Sequence, residues 1–302
     1  AEPDVMHSQK IGGVWSEQLI ERIGEGSAPN GILRTAEISF SNNNELAVAY
    51  SATANDGDPD FVRFATKIND NEHGGWDVEE VATSESKFIN DLVSDSLGNF
   101  HFIGINGQDI YYYNINNGVW ESQIVTNDAF SSNMDPSDAS MDIDSTDNIH
   151  IIWRTGSSWS SYELINSVYW SNNTWTNTTL DLESLGEFDY GGDIDLKIDS
   201  NDSIHFLTVF SSEMMIGYKE DNMCTSSDCW NFGIDEGSSN ANRPRIDVNE
   251  GKIYMIERDN EFMIYILQNN DNDGFLNVDD DCKWDYGTSY LEIDGCFDTD
   301  ND

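Results

Sequence analysis

A single pattern recurs through most of this 302-residue chain, and it constrains the fold more than any other feature. A Trp followed by a short strand-like run appears five times: WSEQLI at Trp15, WDVEEV at Trp76, WESQIV at Trp120, WTNTTL at Trp175 and WNFGID at Trp230. The spacings are 61, 44, 55 and 55. A polar turn leading into an alternating apolar run accompanies it: SNNNELAVAY from Ser41, DSLGNFHFIG from Asp95, DSTDNIHIIW from Asp144, DSNDSIHFLT from Asp199 and NEGKIYMIE from Asn249. A third run lies between the two signals (FVRFATKI, IYYYNIN, SVYWSNN, MIGYKED, MIYILQN). A fourth precedes each polar turn (TAEISF, INDLVS, SMDI, IDLKI, PRIDV). Period-two alternation between turn residues marks strands, and helix signals are nearly absent.

Four short antiparallel strands in about 50 residues, repeated with tryptophans at matched places, describe a β-propeller blade. The expected fold is therefore all-β: a five-bladed propeller over residues 1–268. The N-terminus supplies a Trp strand with no strands before it, and the last unit ends near Gln268 without one. Pairing of the Trp15 strand with the run from Met263 to Leu267 would close the ring and remove a free edge. A β-sandwich has a similar strand count but does not account for the matched tryptophans. His101, His150 and His205 fall at equivalent places in successive units, with Tyr254 in the next, and are read as packing residues rather than a metal or catalytic triplet.

The chain carries 14 Lys+Arg against 57 Asp+Glu, a net charge of −43. That excludes a nucleic-acid partner, which needs a basic footprint, and disfavours an anionic membrane surface. No apolar run approaches the roughly 18 residues of a membrane-spanning helix. An opening Ala, with no initiator Met or signal-like segment after it, fits the residue left by signal cleavage. The four cysteines form two local pairs, Cys224 with Cys229 and Cys282 with Cys296, without zinc-knuckle spacing. Two disulfides and an oxidising, extracellular location are the expectation. Sequons at Asn172, Asn177 and Asn201 are glycosylation candidates in that compartment.

The repeat, a polar turn with I-H-x-x-W, then Y-Y or Y-W, then N-x-x-W, resembles secreted sialidase-like propellers of bacteria and archaea. The resemblance implies the propeller fold over most of residues 15–268. It does not carry the sialidase chemistry: the turns before Trp (NEHGGW, NINNGVW, NNTW) lack the Asp-box, and the seven Arg are scattered. A furanosidase reading needs two carboxylates flanking the bond to be cleaved; Asp91, Asp138 and Asp193 are the inner-strand candidates. Aromatics in the longer loops, Phe130, Trp159, Tyr162, Phe188 and Tyr190, are candidates for a ligand face that stacks on sugars or packs a partner.

From Asn269 the composition changes to NNDNDGFLNVDDDC. Residues 269–302 hold ten Asp, one Glu and one Lys, a net of 1 − 11 = −10. Asn269, Asp271, Asp273, the Phe275 carbonyl and Asp280 occupy positions 1, 3, 5, 7 and 12 of an EF-hand-type loop, with Gly274 at the sharp turn. An all-oxygen donor set of this kind suits Ca²⁺. The stretch resembles a thrombospondin type 3 repeat through Asp271, Asp273, Gly274, Asp280 and Cys282. The segment after it resembles linkers in tandem arrays of such repeats on surface proteins of marine microbes. That resemblance implies a second loop opened by Asp298, Asp300 and Asp302 and a parent chain that continues. The functional expectation is an extracellular, calcium-binding adhesion or assembly module without catalysis, meeting other protein chains, itself, or carbohydrate. The alternative is a carbohydrate-binding or glycoside-hydrolysing propeller.

Overall fold

A computed structural model describes residues 4–23, 32–53, 61–68, 75–83, 88–107, 109–116, 118–126, 139–157, 161–171, 174–180, 194–210, 213–219, 229–235, 245–249, 252–258 and 262–268. Every regular element among them is a strand apart from a short turn of 3₁₀ helix at Cys229. The chain divides into two compact units, Ala1–Leu182 and Glu183–Asp302.

The first unit opens with a hairpin, β1 (Asp4–Ile11) and β2 (Val14–Arg22). Gly12 and Gly13 form its two-residue turn, with φ of +57° and +86°. Such turns match the twist of the strands they join and need residues that tolerate positive φ. Three four-stranded antiparallel sheets follow, each in sequence order. The first is β3 (Ile32–Phe40), β4 (Leu46–Thr53), β5 (Phe61–Lys67) and β6 (Trp76–Thr83). The second is β7 (Phe88–Ser94), β8 (Phe100–Asn106), β9 (Asp109–Asn116) and β10 (Val119–Thr126). The third is β11 (Ala139–Ile143), β12 (Ile149–Ser157), β13 (Ser161–Ser171) and β14 (Thr174–Leu180). The second unit holds a fourth such sheet, β15 (Ile194–Ile198), β16 (Ile204–Phe210), β17 (Glu213–Lys219) and β18 (Asn231–Asp235). It also holds a three-stranded sheet, β19 (Arg245–Asn249), β20 (Lys252–Arg258) and β21 (Phe262–Gln268).

The sheets of the first unit stack face to face. Every residue of β4, LAVAYSAT, is buried. Leu46, Val48, Tyr50 and Ala52 pack against Val5, Ile20 and Ile23 of the N-terminal hairpin, while Ala47 and Ala49 pack with Ile89, Leu92 and Phe102 of the next sheet. A strand covered on both faces cannot afford polar alternation, and this explains its near-continuous apolar run. The next layer pairs Ile103, Ile105 and Tyr112 with Met141, Ile151 and Trp153. In the second unit Leu207 and Ile216 pack with Ile246, Ile253 and Met255.

The matched tryptophans explain the repeat. The Trp120 indole N–H donates to Glu79 Oε1 on the preceding outer strand at 2.7 Å, and its ring lies 4.8 Å from Phe64. Trp175 reaches back the same way to Gln123 at 3.4 Å and to Tyr112 at 5.5 Å. Trp76 meets His7 of the hairpin edge-on at 5.4 Å. Trp76, Trp120 and Trp175 thus each tie an outer strand to the sheet before it.

The closing pair expected between the Trp15 strand and the run from Met263 to Leu267 is not among the strand pairs of the described residues. Trp15 lies in β2, which is bonded to β1 in a two-stranded sheet, and β21 ends a three-stranded one. β1 is a strand that the repeat did not reveal. A Gly-Gly turn brings β1 and β2 together locally, at far less chain-entropy cost than joining strands 248 residues apart (263 − 15).

Candidate functional site

Four of the five polar turns, those at Ser41, Asp95, Asp144 and Asp199, are built alike, each around one side chain. In each, a residue at the end of the first strand accepts hydrogen bonds from backbone N–H groups two and four positions on. Asp95 Oδ1 accepts from Leu97 N and Asn99 N at 3.0 and 2.7 Å. Asp144 Oδ1 accepts from Thr146 N and Asn148 N, both at 2.9 Å. Asp199 Oδ1 accepts from Asn201 N and Ser203 N at 2.8 and 2.9 Å. In the first sheet the Ser41 hydroxyl does the same for Asn43 and Glu45. This local bonding is why Asp and Ser favour turns. The fourth residue takes positive φ in every case: Asn44, Gly98, Asp147 and Asp202.

The second carboxylate oxygen explains the histidines. His150 Nε2 lies 3.0 Å from Asp144 Oδ2, His205 Nε2 3.3 Å from Asp199 Oδ2, and His101 Nε2 3.5 Å from Asp95 Oδ2. A carboxylate only accepts, so Nε2 of His150 and His205 carries the proton. His101 Nδ1 meets the Tyr112 hydroxyl at 2.6 Å. Burial alone would raise the Asp144 carboxyl, but hydrogen bonds from His150, Asn148 and Thr146 outweigh it and hold the group well below the usual carboxylate range. Asp95 and Asp199 are depressed by the same balance. Burial lowers His101, against the pull of Asp95. These groups lock turns, as the packing assignment of the three histidines anticipates, with a hydrogen bond added.

Inner-strand carboxylates are equally committed. Asp91 Oδ1 accepts from Leu92 N at 3.0 Å. Its Oδ2 accepts from Ser140 Oγ at 2.8 Å and Met141 N at 3.0 Å, on the first strand of the next sheet. Asp195 repeats this in the second unit, bonding Leu196 N at 3.2 Å and Ile246 N at 2.8 Å. Thr35 plays the part between the first two sheets, accepting from Ile89 N at 2.6 Å. Asp91 is therefore a staple between sheets, because two backbone amides and a hydroxyl hold its oxygens. Asp138 and Asp193 lie outside the described residues.

A further polar cluster joins the hairpin to the first sheet. The Tyr50 hydroxyl donates to Glu21, and Arg63 pairs with Glu80 at 3.2 Å. Burial, reinforced by Glu21, pushes the Tyr50 hydroxyl far up, and the residue is fully buried. A phenol so placed is a poor nucleophile and holds the hairpin down instead.

Of the other residues singled out from sequence, Cys229 is disulfide-bonded, while Cys224, Cys282 and Cys296 lie outside the described residues. Asn177 is exposed in the edge strand β14, and Asn201 is exposed in the turn anchored by Asp199. Asn172, Phe130, Trp159, Phe188 and Tyr190 lie outside the described residues; Tyr162 falls in β13, whose side chain there is likewise outside them. The whole calcium set, Asn269, Asp271, Asp273, Phe275, Asp280, Asp298, Asp300 and Asp302, is outside as well. Among the described residues no cluster of three His, Cys, Asp or Glu is arranged to hold a metal ion.

No protein-family model matches this sequence, and no curated protein does. Solved structures do. A protein of unknown function from Dyadobacter fermentans is 8% identical over 79% of each chain, with a TM-score of 0.53. An α-L-arabinanase from Penicillium chrysogenum, complexed with arabinobiose, is 9% identical over 77% of each chain, with a TM-score of 0.53. A puromycin-hydrolysing peptidase of Mycobacterium tuberculosis is 10% identical, with a TM-score of 0.52, over 90% of this chain but only 44% of the peptidase. At such identities the likeness is one of fold. The chain is an all-β protein of propeller-like architecture, assembled from four-stranded antiparallel sheets.

Proposed function

We propose that the chain is a carbohydrate-binding propeller module. The observation that carries this is the sheet architecture shared with an arabinanase whose structure holds arabinobiose. Phe130, Trp159, Tyr162, Phe188 and Tyr190 supply the stacking surfaces of the proposed ligand face. Recognition is favoured over hydrolysis by Asp91, one of the three acids a furanosidase reading draws on, which is engaged as a staple between sheets. A glycan array followed by calorimetry with arabino-oligosaccharides tests this. Binding that Trp159→Ala weakens at least tenfold is expected, about 1.4 kcal/mol. Silence across the array overturns the reading, and shortening of the oligosaccharides replaces binding with cleavage.

A second reading, an extracellular adhesion or assembly module that meets other chains or itself, is favoured by the disulfide at Cys229, since such bonds persist in oxidising compartments. In both readings Asn269, Asp271, Asp273, Asp280 and the Phe275 carbonyl hold Ca²⁺, with Asp298, Asp300 and Asp302 opening a second loop. The support is the donor spacing together with a density of like charge that cations relieve. Calorimetry showing no uptake at millimolar calcium, or equal uptake by Asp273→Ala, removes this element. The five-blade count and closure of the ring are proposed with it. Their support is the N-terminal hairpin, stacked on the first sheet like the outer half of a blade. Deleting residues 1–22 should abolish cooperative unfolding if the ring closes there.

A further inference from the structure

In the four-stranded sheets, the turn between first and second strands and the turn between third and fourth lie at the same end, because neighbouring strands alternate in direction. Contacts between turns place that end of the first unit's sheets side by side. Asn43 Nδ2 donates to Leu97 O at 3.4 Å, and Ser96 N donates to Asp147 Oδ1 at 2.7 Å. Lys67 Nζ donates to Gln9 Oε1 at 3.2 Å, which sets the hairpin tip at this end too.

The apolar exposure of the unit concentrates there. Among the described residues eleven large apolar side chains are exposed, and the seven most exposed, at 63–76%, all fall at this end. The remaining four, Met6, Ile32, Ile38 and Ile124, reach only 37–54%. Trp15 and Phe40 also lie on sheet faces, so they are set aside. The other five occupy turn tips: Ile11 and Val14 flank Gly12–Gly13, Ile68 ends β5, Leu97 crowns its turn, and Val119 begins β10. Their exposure leaves them out of the core, and apolar side chains gathered at one end of a unit in this way suit a contact surface.

We infer that this turn-tip rim docks a protein partner that is apolar at the centre of its contact and basic around it. Charge decides among the occupants. Exposed Glu45, Asp77 and Glu121 stand beside the rim. Its two lysines are already engaged, Lys10 over the Trp15 ring at 5.9 Å and Lys67 with Gln9. A second copy would bring another net charge of −43 against the first, and anionic lipid is repelled in the same way. A basic surface is attracted, and polar rims steer such encounters. The inference uses none of the residues of the proposed sugar face, so it stands whether or not the glycan array is silent.

The test uses the full chain and two labelled peptides of equal charge, a Leu/Lys amphipathic helix and a Ser/Lys counterpart, followed by fluorescence anisotropy in 150 mM salt (about an 8 Å screening length). The Leu/Lys peptide should bind at least about tenfold more tightly. Val14→Ser with Leu97→Ser should erase that preference without lowering the melting temperature, since substitutions at side chains this exposed leave stability nearly unchanged. Equal binding of the two peptides, or a preference that survives in the variant, overturns the inference. So does capture by phosphatidylcholine vesicles that the variant loses, which would assign the rim to a membrane. Dimerisation of the wild type that the variant loses would assign it to a second copy.

Discussion

The Asp144 turn offers the sharpest test of how the sheets are held. Its side chain is fully buried and accepts from five donors: Thr146 N and Oγ1, Asn148 N and Nδ2, and His150 Nε2. Asp144→Ala removes every acceptor at once. Water can replace the carboxylate at exposed Thr146, but not at buried His150 and only poorly beneath the turn at Asn148 N. Two charge-assisted bonds, one buried and one part-buried, at roughly 1.5–3 kcal/mol each give a loss of about 3–6 kcal/mol. Asp144→Asn keeps an oxygen for Thr146 N and Asn148 N, and His150 can shift tautomer to accept from the new amide, so its cost should be about 1–2 kcal/mol. Urea unfolding followed by tryptophan fluorescence reads both, with buried Trp153 in the same sheet as reporter. Asp144→Ala within 0.5 kcal/mol of wild type, or the two variants alike, would refute the idea that the carboxylate is the hub of the turn.

Stability should fall in two stages on acidification. His101 and His7 are both depressed chiefly by burial, so folding favours their neutral forms; that contribution is complete above about pH 6.5 and is lost as pH drops through their folded values. The depressed carboxyls of Asp95, Asp144 and Asp199 contribute fully above about pH 3.9 and fail below it, and a urea midpoint that stays level from pH 7.5 to 5 contradicts the histidine stage. Gly217→Ala puts a methyl into the Phe206 ring across the strand pair and should cost at least about 1–3 kcal/mol by calorimetry; an unchanged melting temperature counts against this packing. Asp91→Ala leaves Met141 N and the Ser140 hydroxyl without their acceptor, and faster hydrogen exchange at Met141 is expected; equal protection in the variant means the staple is dispensable.

The repeat made most of the strands legible because its signals are local. Alternation, a turn and a Trp all fall within one window of residues. β1 escaped because DVMHSQKI puts a His at a buried position, where an apolar residue would have shown the alternation. The Gly12–Gly13 pair between two runs was the available clue. The turns were visible as polar stretches, yet the bond from His150 back to Asp144 spans six residues and needs the strand to be built first. The staples were beyond reach. Asp91 and Met141 are 50 residues apart, and a carboxylate that meets a backbone amide has no partner side chain to betray it. The candidate ligand residues are read from loop composition and the calcium residues from donor spacing; apart from Tyr162 in β13, the described strands do not include them.

That last feature bears on how such a chain can change over time. Each staple joins a side chain on one sheet to a main-chain N–H on the next: Thr35 to Ile89, Asp91 to Met141, Asp195 to Ile246. Only one of the two positions has to keep its chemistry, since any residue but proline presents the amide. The receiving strand is free to drift among apolar side chains while the joint survives.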